Sequence, residues 1–262
     1  MGDRYALVGN PVAHSKSPLI HAAFARATSQ DLHYGLIEAP LDGFAATVER
    51  FRAAGGRGLN VTLPFKQEAF ALCSRVSERA RIAQAVNTLV LETGFGDNTD
   101  GIGLVRDLSQ NLNHDFSVVL LLGAGGAAQG VVGALLEAGA KRVVIANRTG
   151  SRAKALAERF PGALGCDFDS LPAEPFDLIV NATSAGLADE APRVPASVFS
   201  KKALAYDMVY GRETPFLTAA RGAGARTCDG LGMLVEQAAE SFFVWRGVRP
   251  QTGPVLEKLR GA

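Results

Sequence analysis

Apolar positions along this chain form short runs that alternate with stretches of helical spacing. The runs predict strands at 5–8, 33–38, 58–62, 118–122, 142–146, 178–181 and 204–207. Helical spacing predicts helices from Pro18 onward and at 44–54, 66–73, 78–83, 127–138, 151–159 and 231–246. A hairpin around Thr93-Gly94 is expected between 85–91 and the residues before Asp97. Such alternation favours parallel sheets covered by helices on both faces, so the predicted fold class is α/β.

The alternating pattern restarts after residue 100, which predicts two α/β domains joined near residues 100–105. The helix at 231–246 follows the second run, and we expect it to pack back on the first domain. In the first domain Ser17 precedes Pro18, and this hydroxyl–proline pair predicts a helix capped by Ser17.

Composition excludes several classes of protein. The net charge is +1 with 47% hydrophobic and 20% charged residues, so no global field would recruit nucleic acid or an acidic membrane surface. The sequence predicts no signal peptide, and no apolar stretch approaches the roughly 20 residues that span a bilayer. Three scattered cysteines suit a reducing cytoplasm. The four histidines lack metal-ligand spacing and are expected to be surface or packing residues, so no metal site is predicted.

A glycine turn follows the apolar run at 118–122. It reads Gly123-Ala124-Gly125-Gly126-Ala127-Ala128 and precedes a predicted helix. The first glycine permits a tight turn, the second lets backbone approach phosphate, and Ala128 lets the helix pack close to the strand. The N–H groups and partial positive charge at the helix start would face a pyrophosphate. A plain strand–helix turn is the alternative interpretation.

The next strand indicates which dinucleotide would bind. An acidic residue about 20 positions after the turn would accept hydrogen bonds from the ribose of NAD. Here the strand ends in Asn147-Arg148-Thr149, with Arg152 close behind. Because guanidinium groups bind phosphate with paired hydrogen bonds, this segment predicts NADP rather than NAD. The alternative is a solvated basic loop.

Several residues of the first half have a functional and a structural interpretation. Lys66 follows Pro64-Phe65 and presents an ammonium on a stiffened turn, although most lysines are solvated surface charges. Asp100, taken alone, is best explained as a helix N-cap ahead of Gly101. Asn87, taken alone, is better explained as a turn or cap residue.

Ser15 and Ser17 lie on the loop after the first strand, where α/β sheets bind ligands beyond the strand ends. Simple helix capping explains Ser17 about as well as ligand contact does.

Taken together, these residues resemble the shikimate dehydrogenase family over nearly the whole chain. The most informative motifs are Asn60-Val-Thr-Leu-Pro-Phe-Lys66, Ala85-Val-Asn-Thr88 and Gly96-Asp-Asn-Thr-Asp-Gly101. The segments 9–18, 123–128, 147–149, 181–184, 206–210 and 229–234 continue the resemblance in order. This set is far more specific than any one of its members.

The resemblance implies reversible, NADP-dependent reduction of 3-dehydroshikimate to shikimate in the aromatic amino acid pathway. It implies a substrate and catalytic domain at 1–103 plus 231–262, a Rossmann-like NADP domain at 104–230, and a cleft between them. Lys66 and Asp100 would be the catalytic pair. The implied substrate residues are Ser15, Ser17, Thr62, Asn87, Tyr210 and Gln237. The implied cofactor residues are Gly123, Ala124, Gly125, Gly126, Ala127, Asn147, Arg148, Thr149, Arg152, Thr183, Met208 and Gly230.

The residues leave some alternatives open. Gln129 stands where relatives often carry a basic or small residue, which questions a phosphate contact from that position. One rival function is a quinate/shikimate dehydrogenase of broader substrate range. Another is a non-catalytic regulator that binds NADP or shikimate, although such a sensor has no need of both Lys66 and Asp100. The expected partner is a small molecule, and the expected assembly is a monomer or a homodimer.

Overall fold

The computed structural model describes residues 2–172, 174–183 and 190–261. The chain divides into two compact units, one formed by Met1–Gly103 with Leu234–Ala262 and the other by Leu104–Met233. The chain therefore returns to the first unit at residue 234, three positions after the boundary expected from the sequence. Each unit contains one sheet of six strands.

The first unit opens with alternating strands and helices and ends with the C-terminal helices. Its strands are β1 (Asp3–Gly9), β2 (Leu32–Glu38), β3 (Gly56–Val61), β4 (Arg75–Val76), β5 (Thr88–Val90) and β6 (Phe95–Asp97). Its helices are α1 (Ser17–Ala27), α2 (Phe44–Ala53), α3 (Lys66–Leu72) and α4 (Glu78–Ala83). Helix α5 (Asp100–Arg106) leads into the second unit, and a π-helical turn at Asp107–Asn111 follows it.

The first sheet has the order β2-β1-β3-β5-β6-β4 and is mixed rather than wholly parallel. Strand β1 lies parallel to β2 and β3, whereas β5 runs antiparallel to both β3 and β6. The predicted hairpin is confirmed, because β5 pairs with β6 and Gly94 between them has a φ of 65°. The connection is too short for a crossover, so it reverses the chain and interrupts the parallel pattern.

Both faces of this sheet are covered. In β1 the side chains of Ala6 and Val8 enter one buried cluster with Phe44 and Phe65. Tyr5 and Leu7 enter a different cluster, together with Val12 and Tyr34. Because successive residues of a strand point to opposite faces, the two clusters lie on opposite sides of the sheet. This explains why the strand is a continuous apolar run rather than an alternating one.

The second unit is an open sheet in which every pair of neighbouring strands is parallel. Its strands are β7 (Val118–Leu122), β8 (Arg142–Ala146), β9 (Ala163–Cys166), β10 (Leu178–Asn181), β11 (Leu204–Asp207) and β12 (Arg226–Cys228). Its helices are α6 (Gly126–Glu137), α7 (Gly150–Ala157) and α8 (Pro215–Gly222). The order β12-β11-β10-β7-β8-β9 is that of a dinucleotide-binding fold, with the strand order reversing between β7 and β10. The predicted α/β class and Rossmann-like second domain are confirmed.

The last helices are α9 (Leu231–Arg246) and α10 (Gly253–Arg260). Helix α9 begins at the end of the second unit and continues in the first. As expected, its later part packs in the first unit, where Trp245 Nε1 donates to the carbonyl oxygen of Leu89 at 3.0 Å. No helix of the described residues is long and apolar enough to cross a membrane.

Five elements were absent from the sequence prediction: β4, β9, β12, α8 and α10. The three strands have two to four residues, and β4 and β12 are not strongly apolar. Each of the three is an edge strand of its sheet, where less apolar surface has to be buried. Helix α8 did carry a signal, because Thr214 precedes Pro215 and its side chain accepts from the backbone N–H of Leu217.

Candidate active site

A lysine and an aspartate form a direct ion pair in the first unit. Lys66 Nζ lies 2.5 Å from Asp100 Oδ2, and the two side chains are only 12% and 7% exposed. Lys66 is the first residue of α3, immediately after the Pro64-Phe65 turn that follows β3. Asp100 is the first residue of α5, after β6. Two residues that are distant in sequence thus form one protonatable pair that is largely shielded from water.

The carboxylate of Asp100 does not cap its own helix, so the N-cap interpretation of Asp100 is wrong. Asn98 Oδ1 accepts from the backbone N–H of Asp100 at 3.1 Å and takes the capping role instead. The carboxylate is free to accept from Lys66 through Oδ2 and from Asn87 Nδ2 through Oδ1, at 2.8 Å. Both oxygens therefore have a donor, which fixes the direction of the carboxylate.

Asn87 is buried beside this pair, and its amide orientation is determined by its neighbours. Asn87 Oδ1 accepts from the backbone N–H of Thr99 at 2.9 Å, so Nδ2 must face Asp100. The hydroxyl of Thr88 also donates to Asn87 Oδ1, at 2.9 Å. Thr99 Oγ1 lies 3.3 Å from Gln237 Oε1 on α9. The structure thus brings four predicted residues, Lys66, Asp100, Asn87 and Gln237, into one hydrogen-bonded group.

A buried layer of polar side chains, formed by Asn60, Tyr34 and Ser241, hydrogen-bonds to the strand next to this group. Asn60, the second-last residue of β3, accepts from the hydroxyl of Tyr34 at 2.8 Å and donates to the carbonyl of Asn87 at 3.1 Å. Asn60 Nδ2 also lies 2.9 Å from Ser241 Oγ on α9. Ser241 in turn contacts Thr88 Oγ1 at 2.8 Å. Strands β3 and β5, which lie next to the pair, are therefore tied to α9 by satisfied polar groups.

Ser15 and Ser17 lie together at the start of α1, where Ser15 Oγ donates to Ser17 Oγ at 3.0 Å. Ser15 Oγ also accepts from the backbone N–H of Ser17, at 3.2 Å. Ser17 is the first helical residue and Lys16 is the N-cap, so the prediction that Ser17 caps this helix is wrong. The buried Ser17 hydroxyl instead bonds its neighbours Ser15 and Tyr34.

Thr62 follows β3, at the same edge of the sheet as the loop after β1. A Cβ added at Gly9 would lie only 2.3 Å from Thr62 Cγ2, so the chain needs glycine there for the two loops to come together. The backbone N–H of Thr62 donates to the carbonyl of Val8 at 2.9 Å. Thr62 thus lies at the carboxyl edge of the sheet, next to the strand that precedes the serine loop.

The glycine turn of the second unit has the geometry expected for a phosphate site. Gly123 has a φ of 109°, which favours glycine, and its N–H donates to the carbonyl of Ala146 at 2.7 Å. Gly125 is the N-cap of α6, makes no side-chain cap, and has open space where a Cβ would stand. Ala128 is fully buried against the sheet. A pyrophosphate therefore fits in front of the α6 N-terminus, beside Ala124, Gly126 and Ala127.

The segment after β8 is shaped by its own backbone contacts. Asn147 Nδ2 donates to the carbonyl of Thr149 at 3.0 Å, and the N–H of Arg152 donates to the same carbonyl at 3.0 Å. Arg148, Thr149 and Arg152 are exposed. Neither guanidinium forms an ion pair with a residue in the described ranges. Two free cations at the carboxyl end of β8 suit a phosphate ligand.

Four further predicted residues lie at or near the carboxyl edge of the same sheet. Thr183 follows β10, and its backbone N–H and hydroxyl both bond Asn181 Oδ1, at 3.1 and 2.7 Å. Met208 follows β11, and its N–H donates to the Asn181 carbonyl at 3.0 Å. A Cβ at Gly230 would lie 2.4 Å from the Met208 carbonyl oxygen, so glycine is needed for this close approach. Tyr210 is half-buried two residues beyond Met208.

Sequence reasoning gave no role to several residues that organise these sites. Asn60, Asn181 and Asp207 could have been recognised, because each is a polar residue within or at the end of an apolar strand. Ser241 carried no such signal, since a serine on a helix is usually exposed. Ser184, part of one motif of the resemblance, lies outside the described residues.

The second unit is a dinucleotide-binding domain, and the first presents an amine paired with a carboxylate, as expected for an oxidoreductase that moves a proton with its hydride. Three family models match the chain. They are the shikimate dehydrogenase substrate binding domain at residues 7–89, shikimate / quinate 5-dehydrogenase at 105–191, and the shikimate 5′-dehydrogenase C-terminal domain at 230–260. The chain belongs to the shikimate dehydrogenase family.

Individual relatives agree with this assignment. A shikimate dehydrogenase (NADP(+)) from Methylobacillus flagellatus is 56% identical over 269 residues, covering 99% of this chain and 100% of the relative. The crystal structure of an Ael1 enzyme from Pseudomonas putida has a TM-score of 0.90 and 49% identity, with 98% of each chain covered. Shikimate 5-dehydrogenase from Thermus thermophilus, solved with NADP(H) and shikimate, has a TM-score of 0.86 and 37% identity, with 99% of each covered.

Proposed function

We propose that this protein is an NADP-dependent dehydrogenase that reversibly reduces 3-dehydroshikimate to shikimate, a step of aromatic amino acid biosynthesis. The observation that carries the proposal is the Lys66–Asp100 pair, held at 2.5 Å and largely removed from water. A chain with the fold of this family but without a proton donor could bind the ligands without turning them over. The family membership and the retained pair together support catalysis.

In the proposed mechanism the bound cofactor supplies or accepts the hydride. Lys66 supplies the proton to the substrate carbonyl oxygen as negative charge builds on it. A positioned acid of this kind contributes roughly 10²–10⁴-fold to the rate. Asp100 Oδ2 orients the ammonium of Lys66, and Asn87 orients Asp100 by donating to its Oδ1. In the oxidation direction the same pair receives the proton of the substrate hydroxyl.

The proposed substrate site combines hydroxyl and amide groups. Ser15 and Ser17 hold the substrate carboxylate, with Tyr210 nearby, and Thr62, Asn87 and Gln237 hold the ring hydroxyls. The close contact of the two serine hydroxyls supports a shared role. A site built on such polar contacts rejects analogues that lack the matching group, because its own buried groups would be left unpaired.

The proposed cofactor site runs along the carboxyl edge of the second sheet. The glycine turn at 123–127 holds the pyrophosphate. Asn147, Arg148, Thr149 and Arg152 hold the 2′-phosphate that distinguishes NADP from NAD. Thr183, Met208 and Gly230 lie on the nicotinamide side. The open space before α6 and the two exposed guanidiniums without ion-pair partners in the described ranges support this arrangement.

A spectrophotometric assay of shikimate oxidation, run with NADP and NAD in parallel, tests the proposal. We expect turnover with NADP to exceed that with NAD. Lys66→Ala should lower the turnover number by about two orders of magnitude or more, and Asp100→Asn should cause a related loss. Lys202→Ala, which removes an exposed lysine before β11, is the control. Near-normal turnover in Lys66→Ala with weakened substrate affinity would make Lys66 a binding residue instead.

The second candidate is a dehydrogenase of broader range. The family model that matches residues 105–191 covers both shikimate and quinate enzymes, which favours this alternative over others. A panel of shikimate, quinate and an amino analogue, each with both cofactors, separates the two candidates. Tight binding of NADP and shikimate without any turnover would instead indicate a regulator.

We propose the cytoplasm as the compartment and a monomer or homodimer as the assembly. The cysteines Cys73, Cys166 and Cys228 are free thiols, which suits a reducing environment. The proposed catalytic pair comes from a single chain, so this pair itself needs no second copy. Light scattering of the purified protein measures the assembly directly.

A further inference from the structure

A carboxylate is fully buried at the carboxyl end of β11. Asp207 Oδ1 accepts from the backbone N–H of Val209 at 3.0 Å. Its Oδ2 accepts from the hydroxyl of Thr214 at 2.6 Å and from Asn181 Nδ2 at 3.2 Å. The side chain of Asp207 has no exposed surface. Three donors thus converge on one carboxyl group inside the second unit.

This carboxylate has no cationic partner among the described residues. Burial raises the pKa of Asp207 and the charge of Asp229 adds to that effect, while the three donors oppose it. The orientation of the Asn181 amide is fixed, because Asn181 Oδ1 accepts from the backbone N–H of Thr183. The amide therefore presents a donor, not an acceptor, to Asp207. Burial is the largest of these effects, so the pKa of Asp207 is raised overall. Donors nevertheless occupy both carboxyl oxygens, so a proton on either oxygen would displace a hydrogen bond, and this geometry favours an anion that has no counter-ion.

The anion lies directly behind residues proposed for the nicotinamide side. Asn181 and Asp207 are paired across β10 and β11, each at the last position of its strand. The backbone and side chain of Asn181 hold Met208 and Thr183 respectively. Thr183 Cγ2 would lie 3.3 Å from a Cβ at Gly123, which places it against the glycine turn. The buried charge is thus built into the same edge of the sheet as the dinucleotide site.

We propose that Asp207 biases the cofactor site toward the oxidised form, because its field stabilises the positive charge of the oxidised nicotinamide ring. This inference rests on the proposed placement of the ring beside Met208 and Gly230. The reduced ring is neutral and gains nothing from the anion. The proposed bias is therefore a difference between the affinities of the site for NADP⁺ and for NADPH. Tighter holding of the oxidised form also makes the bound reduced form a stronger hydride donor. A buried charge acts over several ångströms because the interior screens it weakly.

The test measures three dissociation constants by titration calorimetry, for NADP⁺, NADPH and 2′-phospho-ADP-ribose, which lacks the nicotinamide ring. In Asp207→Asn we expect the affinity for NADP⁺ to fall about fivefold or more relative to both other ligands. Equal changes for NADP⁺ and NADPH, or no change, would overturn the proposal. A purely structural role for Asp207 would weaken all three ligands together.

Asp177→Asn is the matched control. Asp177 Oδ2 accepts from the backbone N–H groups of Ser117 and Val118, at 2.9 Å each, at the amino end of the same sheet. Its removal should leave the NADP⁺ to NADPH affinity ratio unchanged. If Asp207→Asn loses the ring-less ligand through misfolding, Asp207→Ser keeps an acceptor for Val209 and decides between the same outcomes. Failure of the unmodified protein to bind either form of NADP would count against the proposed function instead.

Discussion

Arg148 is the side chain on which the choice of cofactor depends most directly. It is exposed, has no ion-pair partner in the described part of the chain, and follows β8 where NAD-binding folds carry an acid. Arg148→Asp would repel a 2′-phosphate and offer an acceptor to a 2′-hydroxyl. We expect the ratio of kcat/KM for NADP over NAD to fall by about tenfold or more. Steady-state kinetics with both cofactors measures this ratio.

The control for that change is Arg226→Asp, which alters an exposed arginine at the start of β12. An undiminished preference for NADP in Arg148→Asp would show that the segment at 147–149 does not bind the 2′-phosphate. Arg152 would then be the next residue to examine, since it lies one helical turn away.

His21 is a second single residue with a measurable consequence. It is 1% exposed, is stacked on Tyr34 with ring centroids 4.1 Å apart, and neither ring nitrogen has a hydrogen-bond partner among the described residues. Burial lowers the pKa of His21 from 6.5 to about 3, and the nearby Asn60 amide opposes this only partly. The folded protein therefore keeps His21 neutral.

The sign of the resulting pH dependence follows from the unfolded chain. Above pH 6.5 His21 is neutral in both states and has no effect on stability. As the pH falls from 6.5 toward 3, the unfolded chain binds a proton that the folded protein does not, so stability is lost across that window. The contribution approaches about 1.4 kcal/mol per pH unit.

Urea unfolding at about pH 7 and about pH 5 measures this loss. In His21→Phe we expect the difference between the two free energies of unfolding to shrink by about 2 kcal/mol relative to the unmodified protein. His33→Gln removes an exposed histidine and serves as the control. The same pH sensitivity in His21→Phe would mean that other groups cause it.

The packing of α5 against α9 depends on one glycine. A Cβ at Gly103 would lie 2.6 Å from the Cβ of Gln237 and 2.8 Å from its backbone nitrogen. Gly103→Ala must therefore displace α9, at a cost of about 1–3 kcal/mol in the free energy of unfolding. Because Gln237 is a proposed substrate residue, we also expect the KM for shikimate to rise. Urea unfolding and steady-state kinetics measure the two effects.

Gly222→Ala is the matched substitution, since a Cβ at the end of α8 would meet nothing within 4 Å. It should leave the KM unchanged and stabilise slightly, by up to about 1 kcal/mol, because alanine reduces the freedom of the unfolded chain. If both variants behave alike, the close approach of α5 and α9 is not needed for the substrate site.

Most elements with strong local signals were predicted from the sequence, whereas α8 was missed although Thr214-Pro215 marks its start. The segment formed by β7, the glycine turn and α6 was predicted because a continuous apolar run, a glycine-rich turn and a helical stretch follow one another in the sequence. The positive φ of Gly123 agrees with that prediction. Strands β9 and β12 were missed because short edge strands need little apolar surface. Their positions depend on pairing with neighbours, which is information that no local window contains.

The candidate site shows the same limit. The resemblance suggested that Lys66 and Asp100 belong together, whereas periodicity and spacing alone favoured a solvated lysine and a helix cap. A carboxylate can accept several hydrogen bonds, so the sequence alone allowed Asp100 to serve as a cap and as a partner of Lys66. The local cap interpretation failed because Asn98 accepts from the backbone N–H of Asp100, while the Asp100 carboxylate accepts from Lys66 and Asn87. Ser241 could not have been found, since its partners come from three segments distant in sequence.

The first unit is built from two chain segments separated by residues 104–233. The C-terminal segment supplies Trp245, which packs 4.6 Å from the Tyr5 ring, and Arg246, which pairs with Asp3. It also supplies Phe242, which is fully buried, and Ser241, which bonds Asn60. Residues 2–103 alone therefore lack part of their apolar core and part of the polar layer beneath the proposed active site.

A chain that ends at Met233 tests this dependence. Losing this segment removes the buried side chains of Val235, Phe242 and Leu256, each worth about 1.5–3 kcal/mol. Their sum is comparable to the whole stability of a typical domain, about 5–15 kcal/mol. We expect the first unit to unfold, so that shikimate binding is lost and residues 2–103 become sensitive to protease.

The second unit contains all of its own sheet, so the shortened chain should still bind 2′-phospho-ADP-ribose. A chain ending at Pro250 is the control. This truncation removes α10, whose Val255 and Leu256 are buried, but leaves α9 in place. That chain should be less stable but should still bind shikimate. Titration calorimetry and limited proteolysis on both chains give the answer. Shikimate binding by the chain that ends at Met233 would show that residues 2–103 fold without the C-terminal helix, and that Ser241 and Trp245 are dispensable to the site.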